Sequence, residues 1–247
     1  MISIPTDDAL DLATRARLLS LGFSWPTPGS VGQMRRLVEA LAYGAPAGRE
    51  ADALAALQFA LEDPEALVGA QAAFTALFDR DAPCPPYEGS YEGDPFRQLR
   101  QMSDVAGFYA AYGAEASGPA SDRPDHVACE LEFLGDVALA RATAQDVGRR
   151  DDAETCRETE DSFLRDHLGR WLGAFAERVL LTTESPLYAA LGGLAAVFVA
   201  DELDRRGIEP APLSPRRMSA VEADELTCGA GAACAAACAS PREVGPG

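Results

Sequence analysis

The sequence predicts an all-α protein: a single-domain helical bundle of about eight helices with a flexible C-terminal tail. Apolar residues recur at spacings of three and four through most of the first 207 positions, the period of one helix face. No segment shows the alternation of a half-buried strand. Capping residues stand directly before proline at Asp63-Pro64, Asp94-Pro95 and Ser185-Pro186, which is how helices open.

The first helix runs from Asp7 to about Trp25, with Leu10, Leu18, Leu21 and Trp25 on one side, and Pro26 and Pro28 stop it. Ser30 caps a second helix striped by Val31, Met34, Leu37, Val38 and Leu41. A third spans Glu50–Glu62, and a fourth carries Leu67, Phe74 and Leu77. A loop rich in Pro, Gly and Tyr covers Asp81–Pro95. The fifth helix runs to about Tyr112, with Leu99, Met102, Ala106 and Tyr109 on one face. Pro124 pushes Arg123 away from the α region, so Asp125 is expected to cap a sixth helix reaching about Val147. A seventh extends from Asp151 to about Leu181 on a stripe of Leu164, Leu168, Trp171, Phe175 and Val179, with Phe163 and His167 beside it. The eighth follows Ser185-Pro186. Residues 1–207 are thus expected to form the helical domain, and residues 208–247 a mobile tail rich in Pro, Ala, Gly and Cys.

There are 39 acidic and 21 basic residues, giving a net charge of −18; every basic residue is Arg. Nucleic-acid binding needs a basic footprint and is excluded as the expectation. An acidic surface instead suits solubility or a basic partner. Met1–Thr6 lacks the basic start and apolar run of a secretion signal, and the best apolar stretch, 186–199, is too short to span a bilayer. A cytoplasmic location without stable membrane insertion follows as the expectation. Cys84, Cys129 and Cys156 are scattered singly, unlike a disulfide framework.

His126 and Glu130 lie four residues apart on one helix face, and His167 is the only other histidine. Together they have the residue types of a small helical metalloenzyme, although the Glu-x-x-His pairs of di-iron bundles and the His-Glu-x-x-His motif are both missing. Cys228, Cys234 and Cys238 are close enough to suggest a metal-carrying scaffold, but their spacing is not Cys-x-x-Cys. No Walker A motif, dinucleotide fingerprint or nucleophile elbow is present. The expectation is a binding protein without catalytic residues or cofactor.

Three segments carry a resemblance to a known family. One is Pro86-Tyr87-Glu88 with the later Phe108-Tyr109-Ala110-Ala111-Tyr112-Gly113. The second is Pro124-Asp125-His126 with Glu130-Leu131-Glu132-Phe133. The third is Phe163-Leu164, His167-Leu168 and Trp171, followed by Pro186-Leu187-Tyr188. In this order and spacing the chain resembles the TorD/DmsD/NarJ group of redox-enzyme maturation chaperones. The resemblance implies an all-helical cytoplasmic protein that binds the catalytic subunit of a molybdopterin-dependent oxidoreductase, or its twin-arginine leader, and assists cofactor insertion and assembly before export. It implies client binding at Pro124, Asp125 and His126, with Arg123 standing where the family often has an acid. Glu130, Tyr87 and Tyr109 join them as candidate client-binding residues. Tyr91 and Tyr112 complete the aromatic set from which a groove would draw, with core packing expected for at least two of the four tyrosines.

Overall fold

A computed structural model describes residues 8–44, 47–63, 66–79, 83–114 and 123–214 of the 247. The helices are α1 (Asp8–Gly22), α2 (Pro28–Gly44), α3 (Arg49–Glu62), α4 (Ala66–Phe78), α5 (Pro95–Ala111), α6 (Val127–Asp146), α7 (Arg150–Phe163), α8 (Gly169–Thr182) and α9 (Pro186–Arg206). A π-helical turn, Leu164–Leu168, joins α7 to α8 without a break. Among the described residues the rods therefore number eight, as the sequence predicts, with one changing pitch midway. The only strand-like pairing there is a single antiparallel bridge between Tyr87 and His126.

α1 packs against α6, α2 and α9, and α9 packs in turn against α8, α3 and α4. Small residues set two of these crossings. A Cβ on Gly135 of α6 would sit 3.4 Å from both the Ala13 carbonyl and the Ala16 methyl of α1. One on Gly192 of α9 would lie 3.3 Å from the Ala176 carbonyl of α8. The interior includes Leu12, Leu19, Leu131, Phe163, Trp171, Phe175 and Leu191, all fully shut off from water. Each such side chain stabilises the fold by roughly 1.5–3 kcal/mol relative to exposure.

Two apolar stripes differ from expectation. α1 ends at Gly22 and buries Leu18 and Leu21 as the spacing predicts, together with Leu12, Ala16 and Leu19, but Leu10 and Trp25 are each 45% exposed. α5 buries Val105 and Tyr109, and its Leu99 faces solvent. In both cases part of the expected stripe is buried, Leu18 and Leu21 in one and Tyr109 in the other, while Leu10, Trp25 and Leu99 are left to solvent. α9 also runs longer than the 14-residue apolar stretch suggests: at 21 residues it has the length and hydropathy to cross a membrane, yet here it is a core helix with Leu191, Leu194 and Ala195 buried. Gly207, at φ 64°, ends α9 in the left-handed region that glycine adopts without strain. Residues 208–214, which the sequence assigns to the tail, run back along the body; the Ala211 amide donates to Arg165 O (2.8 Å) and the Gly93 amide to Ser214 O (3.1 Å).

Candidate functional site

The loop before α5 and the turn before α6 are stitched together by main chain. The Glu88 amide donates to Asp125 O and the Val127 amide to Pro86 O, both over 2.9 Å. Pro86 has no N–H to pair, so its place in the bridge is set by its carbonyl. The Asp125 carboxylate then closes the junction: it accepts the Gly89 amide (3.1 Å) and a two-pronged contact from Arg123, through Nε (3.0 Å) and Nη2 (2.6 Å). Arg123 also lies over the Tyr87 ring, its guanidinium carbon 4.0 Å from the centroid. Tyr109 donates its hydroxyl to Pro124 O (2.8 Å) from beneath.

These bonds correct the expected cap. Asp125 is committed to Gly89 and Arg123, so His126 is the N-cap of α6, its Nδ1 accepting the Ala128 amide at 3.1 Å. With Nδ1 an acceptor, the imidazole is neutral and carries its proton on Nε2. Burial, with Arg123 also lowering and Asp125 raising it, pushes the His126 pKa down from 6.5 to about 4.

Tyr87 and His126, with ring centroids 5.3 Å apart, form one wall of a cleft of about 420 Å³. Trp25, Phe74 and Phe78 form the facing wall. Trp25 and Phe74 meet edge to face at 5.4 Å. Asp79, Cys129 and Glu132 also line the cleft. Glu132 is held by Arg17 from α1. Burial, followed by Glu132, Glu130 and Asp125, pushes the Cys129 thiol up to about 11, so it stays un-ionised at neutral pH.

Behind this wall lies a buried polar network. Glu88, fully buried, accepts Arg170 Nη1 on Oε1 (2.9 Å) and contacts His167 Nδ1 through Oε2 (3.1 Å). The π turn delivers His167 to this interior position, where its ring meets Phe108 and Phe163, each at 5.4 Å. Glu130 accepts the Trp171 indole N–H at 3.0 Å. His126, Glu130 and His167 are therefore each engaged separately and do not form the metal centre of the alternative reading. Among the described residues no three His, Cys, Asp or Glu side chains converge as metal ligands. Cys228, Cys234 and Cys238 lie outside the described residues.

The family model described as the nitrate reductase delta subunit matches residues 44–177, more than half of the chain. The chain belongs to the nitrate reductase delta subunit family. Among similar curated proteins are chaperone protein TorD of Vibrio cholerae, 27% identical over half of this chain and 54% of its own length, and the selenate reductase assembly chaperone protein of Thauera selenatis, 34% identical over 51% of this chain and 62% of its own. The chlorate reductase assembly chaperone protein of Ideonella dechloratans is 30% identical over 44% and 54%. The chain thus spans only about half the length of the curated relatives it matches. A crystal structure described as a candidate redox enzyme maturation protein from Archaeoglobus fulgidus shares the fold, with a TM-score of 0.51 and 22% identity over 76% of this chain and 93% of the other.

In this delta-subunit family member the matched region holds Tyr87, Asp125, His126 and the facing Phe74, whereas Trp25 lies outside it. Of the candidate residues named from sequence, Tyr87 and His126 face the cleft. Pro124 and Asp125 shape the turn behind it, and Tyr109 and Glu130 sit in the interior with Pro124 O and Trp171 as partners. Sequence reasoning missed Trp25, Phe74 and Phe78 as site residues, because helical spacing assigns Trp25 and Phe74 to core stripes and does not single out Phe78. The Trp25-Pro26-Thr27-Pro28 stop was the available signal for Trp25: a large aromatic at a broken helix end has no helix partner to cover it.

Proposed function

We propose that this protein is a cytoplasmic chaperone that binds the catalytic subunit of a molybdopterin-dependent oxidoreductase, or its twin-arginine leader, and assists cofactor insertion and assembly before export, with no turnover of its own. The observation that carries this reading is the cleft, where Trp25, Phe74, Phe78, Tyr87 and His126 make aromatic walls beside the carboxylates Asp79 and Glu132. A twin-arginine leader joins paired cations to an apolar stretch, and such a segment is matched by apolar walls with acids at the edge. A volume of about 420 Å³ takes a few side chains, which favours a peptide segment over a folded surface as the first contact. The net charge of −18 steers a basic segment inward. The names of the relatives, assembly chaperones for selenate and chlorate reductases, agree with a client of this class.

The test is affinity capture of the full chain from its native cytoplasm, followed by titration of the captured subunit's leader peptide. The expected result is enrichment of a molybdopterin-dependent catalytic subunit, with leader affinity lowered at least about tenfold by Tyr87→Ala or Trp25→Ala, the loss expected for an aromatic anchor. Absence of such a subunit, or a leader indifferent to both substitutions, overturns the reading.

A further inference from the structure

Arg170 of α8 spends all five of its N–H donors. Nε donates to Ala211 O (2.9 Å) and Nη2 to Pro212 O (3.2 Å), both on the segment that follows α9. Nη1 donates to Glu88 Oε1 (2.9 Å) and to Asp166 O (3.3 Å), and Nη2 also to Glu92 Oε2 (3.1 Å). The side chain is only 5% exposed. Glu92 completes the circuit: its Oε1 accepts the Ser214 amide at 3.2 Å, and the neighbouring Gly93 amide donates to Ser214 O.

Residues 208–214 are thus held chiefly through main chain, with Ile208 and Leu213 as the apolar contacts. On the other side of Arg170, Glu88 bonds through its amide to Asp125 O, beside Tyr87 and His126 of the cleft. A buried guanidinium whose donors are shared between two segments transmits a change in one to the other, because a vacated donor inside the fold must find a new acceptor.

We infer that residues 208–214 are a clamp on the cleft: they complete the bonding of Arg170, which positions Glu88 and through it the Tyr87–His126 wall, so attachment of the clamp and occupancy of the cleft are linked. The inference rests on the client reading above for what occupies the cleft. Arg170 is a positioning residue in it. Linkage of this kind is reciprocal, so whatever loosens the clamp changes client affinity, and client binding changes the clamp.

The experiment measures amide hydrogen exchange by NMR on the full chain, in the wild type, Ala211→Pro and Leu213→Ser. Ala211→Pro removes the donor to Arg165 O in a stretch already bracketed by Pro210 and Pro212. Leu213→Ser removes an apolar contact and leaves the main chain intact. Clamp attachment is read at Gly93 and Ser214, the cleft wall at Glu88 and Val127, and Leu57 in α3 is the reference. In both variants the clamp and wall amides are expected to exchange faster by a similar factor, about tenfold, with Leu57 unchanged. Loosening at Gly93 and Ser214 that leaves Glu88 and Val127 protected overturns the proposal. So does a Ser214 amide that neither substitution loosens.

The linkage arm titrates a synthetic twin-arginine leader peptide into the same three proteins. A shift in its affinity of at least about fivefold in both variants, with altered Gly93 and Ser214 exchange in the saturated wild type, is expected. Unchanged affinity alongside coupled exchange overturns the linkage and leaves the client reading standing. A peptide that binds none of the three proteins overturns the leader branch of the client reading, and with it the linkage to a leader in the cleft, while the exchange arm still decides whether the clamp controls the wall.

Discussion

Trp171 donates its indole N–H to Glu130 Oε2 over 3.0 Å, and neither side chain has any exposure to water. The other carboxyl oxygen, Oε1, meets no partner among the described residues. Burial, and then the neighbouring Glu88 carboxylate, raise the Glu130 pKa well above its ordinary range, against the lowering effects of Trp171 and Arg170. The residue at the centre of the sequence motif is thus a buried acid favoured in its neutral form.

Glu130→Gln is expected to keep the Trp171 acceptor and remove a pH dependence. A carboxyl group whose folded pKa is raised binds its proton more tightly in the native state. Its contribution is therefore lost as pH climbs from the unfolded value of 4.5 towards the folded one. Urea unfolding at pH 5, 7 and 9 should show a decline in the wild type that is flatter in Glu130→Gln. Glu130→Leu should cost about 1–3 kcal/mol at pH 5, because the Trp171 N–H is left buried and unpaired, and less as pH rises and the wild type loses stability of its own.

His126 acts in the opposite sense. Its pKa is depressed from 6.5 to about 4, so the unfolded chain binds the proton first. The stability this provides is complete above pH 6.5 and is lost as pH falls towards 4. NMR titration should find the His126 imidazole neutral at pH 5.5, where a free histidine is mostly protonated. His126→Ala should flatten the acid limb of the stability curve.

Asp125 separates fold from recognition. Asp125→Ala removes the acceptor for the Gly89 amide and both Arg123 contacts, and should cost about 1–3 kcal/mol in urea unfolding. Asp125→Asn can retain the Gly89 contact and should cost less. If both variants lose client affinity in proportion to their lost stability, Asp125 supports the turn; if Asp125→Asn keeps stability and loses the client, its charge is read directly.

Gly169 guards the π turn. A Cβ there would come within 2.3 Å of the Leu164 carbonyl oxygen, a main-chain atom that cannot swing aside. Gly169→Ala should destabilise by about 1–3 kcal/mol, the usual cost of overpacking, and should shift His167 away from Glu88. Urea unfolding and the His167 imidazole resonances report the two effects separately.

The eight-rod architecture was legible because caps, prolines and three–four spacing act within a few residues of one another. The π turn was not, because Leu164, Leu168, Trp171 and Phe175 remain buried on both sides of it and the stripe reads as unbroken. Both Asp125 and His126 can cap a helix; the choice between them was decided by Gly89 and Arg123, one of them 36 residues away. Tyr87 and His126 were found as site residues, but the facing wall depends on how α4 and the end of α1 approach the turn. Residues 208–214 looked like the start of a tail because their bonds to the body are main-chain bonds, which leave no side-chain signature.

α4 contains no charged residue from Ala66 to Phe78. Its Phe74 and Phe78 rest on other rings: Phe74 lies 5.4 Å from Trp25, and Phe78 lies 5.3 Å from Tyr188 and 5.9 Å from Phe175. The α4 side of the cleft is consequently governed by dispersion and dehydration, which ionic strength hardly disturbs, whereas long-range attraction of a cationic segment is screened within about 10 Å in 0.1 M salt. If the cleft receives a cationic client as proposed, added salt should slow its arrival without moving the α4 wall, and the two steps can be told apart by salt alone.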